Sequence, residues 1–160
     1  MSSDLQTMYG WVRRTREALF TYCADLPPDL YTLERPDFAL GSMRNVHLHV
    51  ANTYLDWLDY FGLNAEPVRL QPAEHPDVPA VRRAFDRADA AVERFLARYG
   101  DRPETPVTHA VRWQAEPLTV PALWLFTHSV THEFHHKGQI LSFGRSLGHP
   151  ITADADLVLP

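Results

Sequence analysis

The sequence contains a single cysteine, Cys23, among its 160 residues. One thiol cannot form an intramolecular disulfide, and no CxxC pair is present to supply thiolate ligands to zinc. These absences exclude a disulfide-stabilised secreted scaffold and a cysteine-based zinc site, and they favour a cytoplasmic protein. We interpret Cys23 as a core residue, because free cysteine is among the most frequently buried residue types.

Positive charge and long apolar runs are also scarce. Lys and Arg together number 15 against 20 Asp and Glu, which gives a formal net charge of −5. Phosphate contacts require clustered positive charge, so we expect no nucleic-acid partner. No stretch reaches the roughly 18 uninterrupted apolar residues of a membrane span, and the N-terminal residues do not resemble an export signal. We therefore expect no membrane segment and no membrane partner.

The remaining composition is typical of one globular domain. Hydrophobic residues make up 45% of the chain and charged residues 22%. A chain of this length can bury a core without disulfides or a structural metal. We expect residues 1–160 to form a single domain.

The positions of proline and of apolar residues predict an all-α fold. Thirteen prolines punctuate four long stretches in which apolar residues recur at intervals of three and four, the spacing of an amphipathic helix. We predict a four-helix bundle with long crossover connections, its helices lying near 4–26, 42–62, 77–99 and 119–147. Pro121 would then lie in the first turn of the last helix. The weakly alternating segment 107–114 predicts a short strand or extended segment, and the tail 151–160 a loop or extended piece.

Four of the nine histidines fall between residues 128 and 136. On a helix, His128, His132 and His136 follow one face in steps of four. An i,i+4 pair of histidines can reach one metal ion, so His132 and His136 predict a metal site that needs a further ligand from another helix. We interpret His128 and His135 as structural or supporting residues.

The second helix offers two histidines for that further ligand, His47 and His49. They lie about 200° apart around the helix, so they cannot serve the same site. His47 falls within the apolar stripe, and His49 lies toward its polar edge. Helical position alone favours His47, but a metal pocket open to solvent often lies at the rim of such a stripe, so both stay candidates.

The same run also matches the H-E-x-x-H pattern of zinc metalloproteases, in which the glutamate activates water. Glu133 would be that glutamate. The extended pattern requires glycine at 139 and histidine at 142, whereas this chain has Gln139 and Ser142. No glutamate follows Glu133 to complete the other protease pattern. A metallohydrolase is therefore a remote alternative.

The last helix further resembles the signature of a known family. The run from His132 to Ile140, H-E-F-H-H-K-G-Q-I, with Trp124 and His128 upstream, is similar to the H-E-x-H-H-R-G-Q-I signature of the DinB/YfiT-like family of metal-binding four-helix bundles. The segment 42–52 resembles the second helix of that family, and the similarity covers about residues 5–148. Lys137 stands where arginine is usual, which keeps the charge but loses the planar guanidinium fork.

The resemblance implies that one divalent metal ion, zinc or nickel, is bound by His49, His132 and His136. By implication, the other nearby histidines are not ligands: His47, His128 and His135. Three imidazoles leave an open position, the arrangement of a catalytic rather than a structural zinc site. We expect the second ring nitrogen of each ligand to meet a carbonyl, a carboxylate or water.

The resemblance also implies a homodimer and a reaction. Leu48 and Leu55 lie off the main stripe of the second helix, and we expect them to be spare apolar residues for two-fold pairing. The implied reaction is of the thiol S-transferase type, in which a small thiol such as bacillithiol, mycothiol or glutathione is joined to a small electrophile.

A metal can lower the pKa of bound water or of a bound thiol, so we expect a metal-dependent transferase or hydrolase. Glu133 is a weak candidate for a catalytic residue, because it lies about 100° around the helix from His132 and is better placed to orient a histidine or form a salt bridge. The alternative is a stress-associated metal-binding bundle without turnover.

Overall fold

The computed structural model describes residues 4–152 and 156–159 and confirms the all-α bundle. Its four α-helices are α1 (Asp4–Asp25), α2 (Met43–Tyr54), α3 (Val78–Tyr99) and α4 (Ala122–Ser146). Helix α2 packs against both α3 and α4, and α1 packs against α3. Within the described parts of the tail, 151–152 and 156–159 form no helix or strand; residues 153–155 and 160 lie outside the description. No helix among the described residues is long and apolar enough to cross a membrane.

The helix starts follow from side chains that accept hydrogen bonds from free backbone N–H groups. The Ser42 hydroxyl accepts from the N–H of Asn45 at 3.2 Å, and the Asp77 carboxylate accepts from the N–H of Ala80 at 2.8 Å. Such caps satisfy donors that have no partner within the helix. They set the start of α2 and α3 within one residue of the predicted positions.

Helix α2 continues as a π-helix, Leu55–Phe61, where the sequence predicted an α-helix up to residue 62. The wider turn keeps Leu58 and Phe61 buried while Trp57 and Tyr60 remain partly exposed. At the end of the π-helix, Gly62 lies so close to α3 that a Cβ atom would be 2.6 Å from the Phe95 ring. The spacing of apolar residues did not reveal this change, because Leu55, Leu58 and Phe61 recur every three residues, an interval that also occurs on one face of an α-helix.

A two-stranded antiparallel sheet precedes α4. Strands β1 (Pro106–His109) and β2 (Leu118–Pro121) pair with Val107 opposite Val120. The predicted strand in 107–114 is confirmed at its N-terminal end, but the predicted start of α4 at residue 119 is wrong. Residues 118–121 are strand because they pair with residues 106–109, and β-branched Thr119 and Val120 suit that extended backbone. Pro121, at ψ 146°, precedes the helix instead of lying in its first turn.

The core absorbs two residues that we expected to remain available for dimerisation. Leu48 is 2% exposed and Leu55 is 4% exposed, because α3 and α4 both cover this part of the chain. The prediction that Leu48 and Leu55 are spare apolar residues for a two-fold contact is therefore wrong. Cys23 is buried as predicted. Six large apolar side chains remain exposed among the described residues: Leu40, Val68, Trp113, Trp124, Leu157 and Leu159.

Candidate metal centre

Three histidine side chains converge between α2 and α4. The Nε2 atom of His132 lies 3.0 Å from Nε2 of His49 and 3.1 Å from Nε2 of His136. One ring nitrogen from each of the three lies within 4.8 Å of the others. Their ring centroids are 4.3 to 4.8 Å apart. The structure thus brings together the three residues that the family resemblance implied, and it does so with ring nitrogens pointing at one another.

The two helices place these side chains by simple periodicity. His132 and His136 are one turn apart on α4, so their side chains project from adjacent turns toward the same point. His49 comes from α2, whose register is fixed by the Ser42 cap. Because α2 and α4 pack side by side, the polar edge of α2 faces the histidine row of α4. A ligand at the edge of the apolar stripe can therefore remain partly open to solvent.

The environment keeps these imidazoles neutral. Burial, followed by the neighbouring histidines, lowers the pKa of His132 to about 3. Burial also lowers the pKa of His49 and of His136, and the positive charge of Arg69 lowers that of His49 further. Neutral imidazole is the form that binds metal, so the ligands need not lose a proton near neutral pH.

The arrangement of nitrogens fits a cation better than a hydrogen-bond network. If Nε2 of His132 carries a proton, that one proton must be shared between Nε2 of His49 and Nε2 of His136. A metal ion, in contrast, can accept one lone pair from each of the three nitrogens. Two imidazole nitrogens on a tetrahedral zinc ion lie about 3.3 Å apart, close to the 3.0 and 3.1 Å found here. An all-imidazole donor set suits zinc, nickel and copper better than magnesium or calcium.

The second ring nitrogens support this interpretation at one ligand only. Nδ1 of His136 donates to the amide oxygen of Gln139 at 2.7 Å, which leaves its Nε2 lone pair free for a metal. Nδ1 of His132 is buried, and no described group forms a hydrogen bond with it. No carbonyl or carboxylate of the described residues therefore meets this atom, and water as its partner stays a prediction.

The other histidines of the two helices lie outside this cluster. His47 is 2% exposed; its Nδ1 atom bonds the Tyr31 hydroxyl at 2.9 Å, and its ring lies 4.8 Å from that of Phe20. Burial lowers its pKa to about 3. The His128 ring stacks on Trp124 with an interplanar angle of 9°. His135 is exposed and contacts the Gln139 amide at 3.3 Å.

Glu133 points away from the three histidines into the core of the bundle. Its Oε1 atom accepts from Nε of Arg16 at 2.7 Å, and Oε2 accepts from the Tyr54 hydroxyl at 2.6 Å. Arg16 also pairs with Asp89 at 2.6 Å, and Asp89 accepts from the Tyr9 hydroxyl. The salt bridge considered for Glu133 is present, and its carboxylate is fully occupied by groups on α1 and α2.

Arg16 was missed by sequence reasoning, although the sequence contains a signal for it. It lies four residues after Val12 and three before Leu19, both of them on the apolar stripe of α1, so a charged residue stands where a core residue belongs. A buried arginine needs an anionic partner. Lys137 is also buried; its amine donates to the Asp156 carbonyl at 2.5 Å and so contacts the tail rather than the histidines.

A comparison with curated proteins finds no match to this chain. The model of the DinB family matches residues 1–157. The chain therefore belongs to the DinB family.

Proposed function

We propose that this member of the DinB family binds one zinc or nickel ion through His49, His132 and His136 and acts as a metal-dependent transferase on a small thiol and a small electrophile. The observation that carries the proposal is the convergence of the three Nε2 atoms. Three protein ligands leave at least one position for an exogenous molecule, which is typical of catalytic zinc sites.

The bound metal would lower the pKa of a thiol or water at that open position. Among the described residues, the three candidate ligands are neutral imidazoles, and the carboxylate of Glu133 is engaged by Arg16 and Tyr54. The site therefore favours a negatively charged external group such as a thiolate.

The chain's own cysteine is poorly suited to be the reacting thiol, which supports an external one. Cys23 is buried in the core, and burial raises its pKa to about 12. A thiol with that pKa is almost entirely protonated near neutral pH, and the thiolate is the nucleophilic form. In the proposed reaction the external thiol gives its proton to solvent water, its sulfur forms a bond to the electrophilic carbon, and the bond from that carbon to the leaving group breaks, so that the leaving group departs with the electron pair.

Two observations favour this function over its alternatives. The His128 ring stacks on Trp124 and is not one of the three histidines whose ring nitrogens converge, which supports a fourth position left to an external molecule. Against a metallohydrolase of the H-E-x-x-H type, the Glu133 carboxylate is bonded to two core side chains and cannot reach water at the metal.

The proposal is tested by metal analysis of the purified protein, followed by thiol consumption with a panel of small thiols and a generic electrophile. We expect about one zinc or nickel ion per chain and thiol consumption that requires the metal. The His136→Ala variant should lose both. Thiol consumption that persists unchanged after metal removal would contradict the transferase assignment.

A further inference from the structure

A second feature of the molecule is a cleft beside the three-histidine site, with a volume of about 270 Å³. It lies between the π-helix and the segment that follows β1. Both sides contribute aromatic and charged residues: Asp56, Trp57, Tyr60, Phe61, Pro67, Arg69, Ala110, Val111, Arg112 and Trp113. Ligand pockets are typically about 300–1,000 Å³, so a cleft of this size suits a compound with a single ring.

Aromatic rings form the wall of the cleft. The Trp57 ring is half-buried, and its centroid lies 6.0 Å from that of Trp113 at an interplanar angle of 53°. Trp113 is 65% exposed, the largest exposure of any aromatic among the exposed apolar residues of the described chain. Two tilted tryptophans offer faces and edges to a planar ring, the geometry that aromatic pairs prefer.

The charge of the cleft favours an anion. Two arginines line it, Arg69 and Arg112, but only one carboxylate does, that of Asp56. Arg69 contacts Asp56 loosely, at 3.5 Å, and both side chains remain about half exposed. A cleft with a formal charge of +1 stands out in a chain whose formal net charge is −5. Arginine guanidinium groups bind carboxylates with paired hydrogen bonds.

The cleft is connected to the three histidines through the Trp57 and His128 rings. Trp57 follows His49 by eight residues along the same continuous helix. The Trp57 ring lies 5.0 Å from that of His128, which lies 6.0 Å from that of His132. Four of the lining residues belong to the π-helix, and π-helical turns are rare and frequent at functional sites. One ring, that of His128, therefore lies between the Trp57 wall of the cleft and His132, so a substrate anchored in the cleft can extend toward the candidate metal centre.

We propose that this cleft binds the planar, anionic part of the substrate that reacts at the three-histidine site, namely a small aromatic carboxylate. The ring lies against Trp57 and Trp113, and the carboxylate pairs with Arg69 and Arg112. This inference rests on the proposed function for the role of the cleft, but binding in the cleft does not require the metal.

The test uses the full chain and three matched probes: phenylacetate, the neutral phenylacetamide, and the non-aromatic cyclohexylacetate. The indole N–H signals of the four tryptophans are followed by NMR during each titration. We expect phenylacetate to shift the signals of Trp57 and Trp113 with a Kd of about 1 mM or tighter, while Trp11 is unchanged. The two controls should bind about threefold to tenfold more weakly. Equal binding of all three, or no shift up to about 10 mM, would overturn the proposal.

Variants locate the site. Arg112→Gln and Trp113→Ala change exposed side chains and should each weaken phenylacetate binding about threefold to tenfold. Arg102→Gln, an exposed arginine outside the cleft, should leave binding unchanged. If the Trp113 signal instead shifts with protein concentration and Trp113→Ala dissociates a dimer, the surface pairs two copies of the chain and the proposal fails.

A third variant separates this inference from the proposed function. His49→Ala should lose metal and thiol consumption but still bind phenylacetate. Phenylacetate binding by a wild-type protein that takes up no metal would leave the cleft proposal intact and refute only the transferase. Metal-dependent thiol consumption by a wild-type protein that binds no phenylacetate would refute only the proposal for the cleft.

Discussion

Replacing Glu133 with glutamine tests whether this residue holds the bundle together or acts on substrate. The side chains of Arg16 and Glu133 are 3% and 9% exposed, so the pair is buried. Removing one partner of such a pair typically costs about 3–5 kcal/mol, because the remaining charge stays in the core. Arg16 keeps Asp89 as a second partner at 2.6 Å, so we expect the lower end, about 3 kcal/mol. For a domain of this size, that corresponds to a fall in Tm of about 6–12 °C.

Guanidinium unfolding of the metal-free protein measures this cost. The double variant Arg16→Met with Glu133→Leu removes both charges and serves as the matched control. Its loss of stability should be at least about 1.5 kcal/mol smaller than the sum of the losses of the single variants Arg16→Met and Glu133→Leu, because neither Arg16 nor Glu133 is then left without the other. A Glu133→Gln variant within about 0.5 kcal/mol of the wild type would refute this interpretation of the network. Additive losses of stability from Arg16→Met and Glu133→Leu would also refute it.

Three further predictions concern packing, the thiol and assembly. Gly62→Ala should destabilise the protein by about 1–3 kcal/mol, because the added Cβ would lie 2.6 Å from the Phe95 ring. Gly10→Ala should instead stabilise the protein by about 0.5–1 kcal/mol, because a Cβ added there would meet no described atom within 4 Å. Thermal unfolding of the two variants checks the contrast, and equal effects would refute the close approach. Cys23 should not react with a thiol reagent at pH 8 until the chain unfolds. Burial raises the pKa of the folded thiol to about 12, so the thiol of the unfolded chain ionises at a lower pH. The free energy of unfolding should therefore fall as pH rises above about 9, by up to about 1.4 kcal/mol per pH unit. Replacing Cys23 with valine should remove that part of the alkaline loss, and rapid reaction of the native thiol would contradict its burial. Sedimentation should give a homodimer of twice the 18.3 kDa chain mass, as is common for two-fold pairing; a monomer at micromolar concentration would contradict it.

The sequence predicted the helices well because local rules govern them. Proline positions, the caps at Ser42 and Asp77, and intervals of three and four between apolar residues are all local properties of the chain. The start of α4 escaped prediction because residues 118–121 are held as a strand by pairing with 106–109, and that partner is distant in sequence. The π-helix escaped prediction because its buried apolar residues recur every three residues, an interval that also occurs on one face of an α-helix.

The candidate site shows the same division between local and long-range information. Helical spacing alone brought His132 and His136 together. The choice between His47 and His49 depended on the family resemblance, because the helical wheel reports burial and not chemistry: His47 is indeed in the core, bonded to Tyr31. The role of Glu133 depended on Arg16, which lies 117 residues away along the chain.

Metal stoichiometry in two alanine variants tests the metal centre most directly. His49→Ala and His47→Ala are purified in parallel, checked for helical content, and analysed for zinc and nickel at neutral pH. We predict that His49→Ala loses the metal, because it removes one of three converging nitrogens, and that His47→Ala retains about one ion per chain. Full metal retention in His49→Ala, or loss in a folded His47→Ala protein, would contradict the three-histidine site.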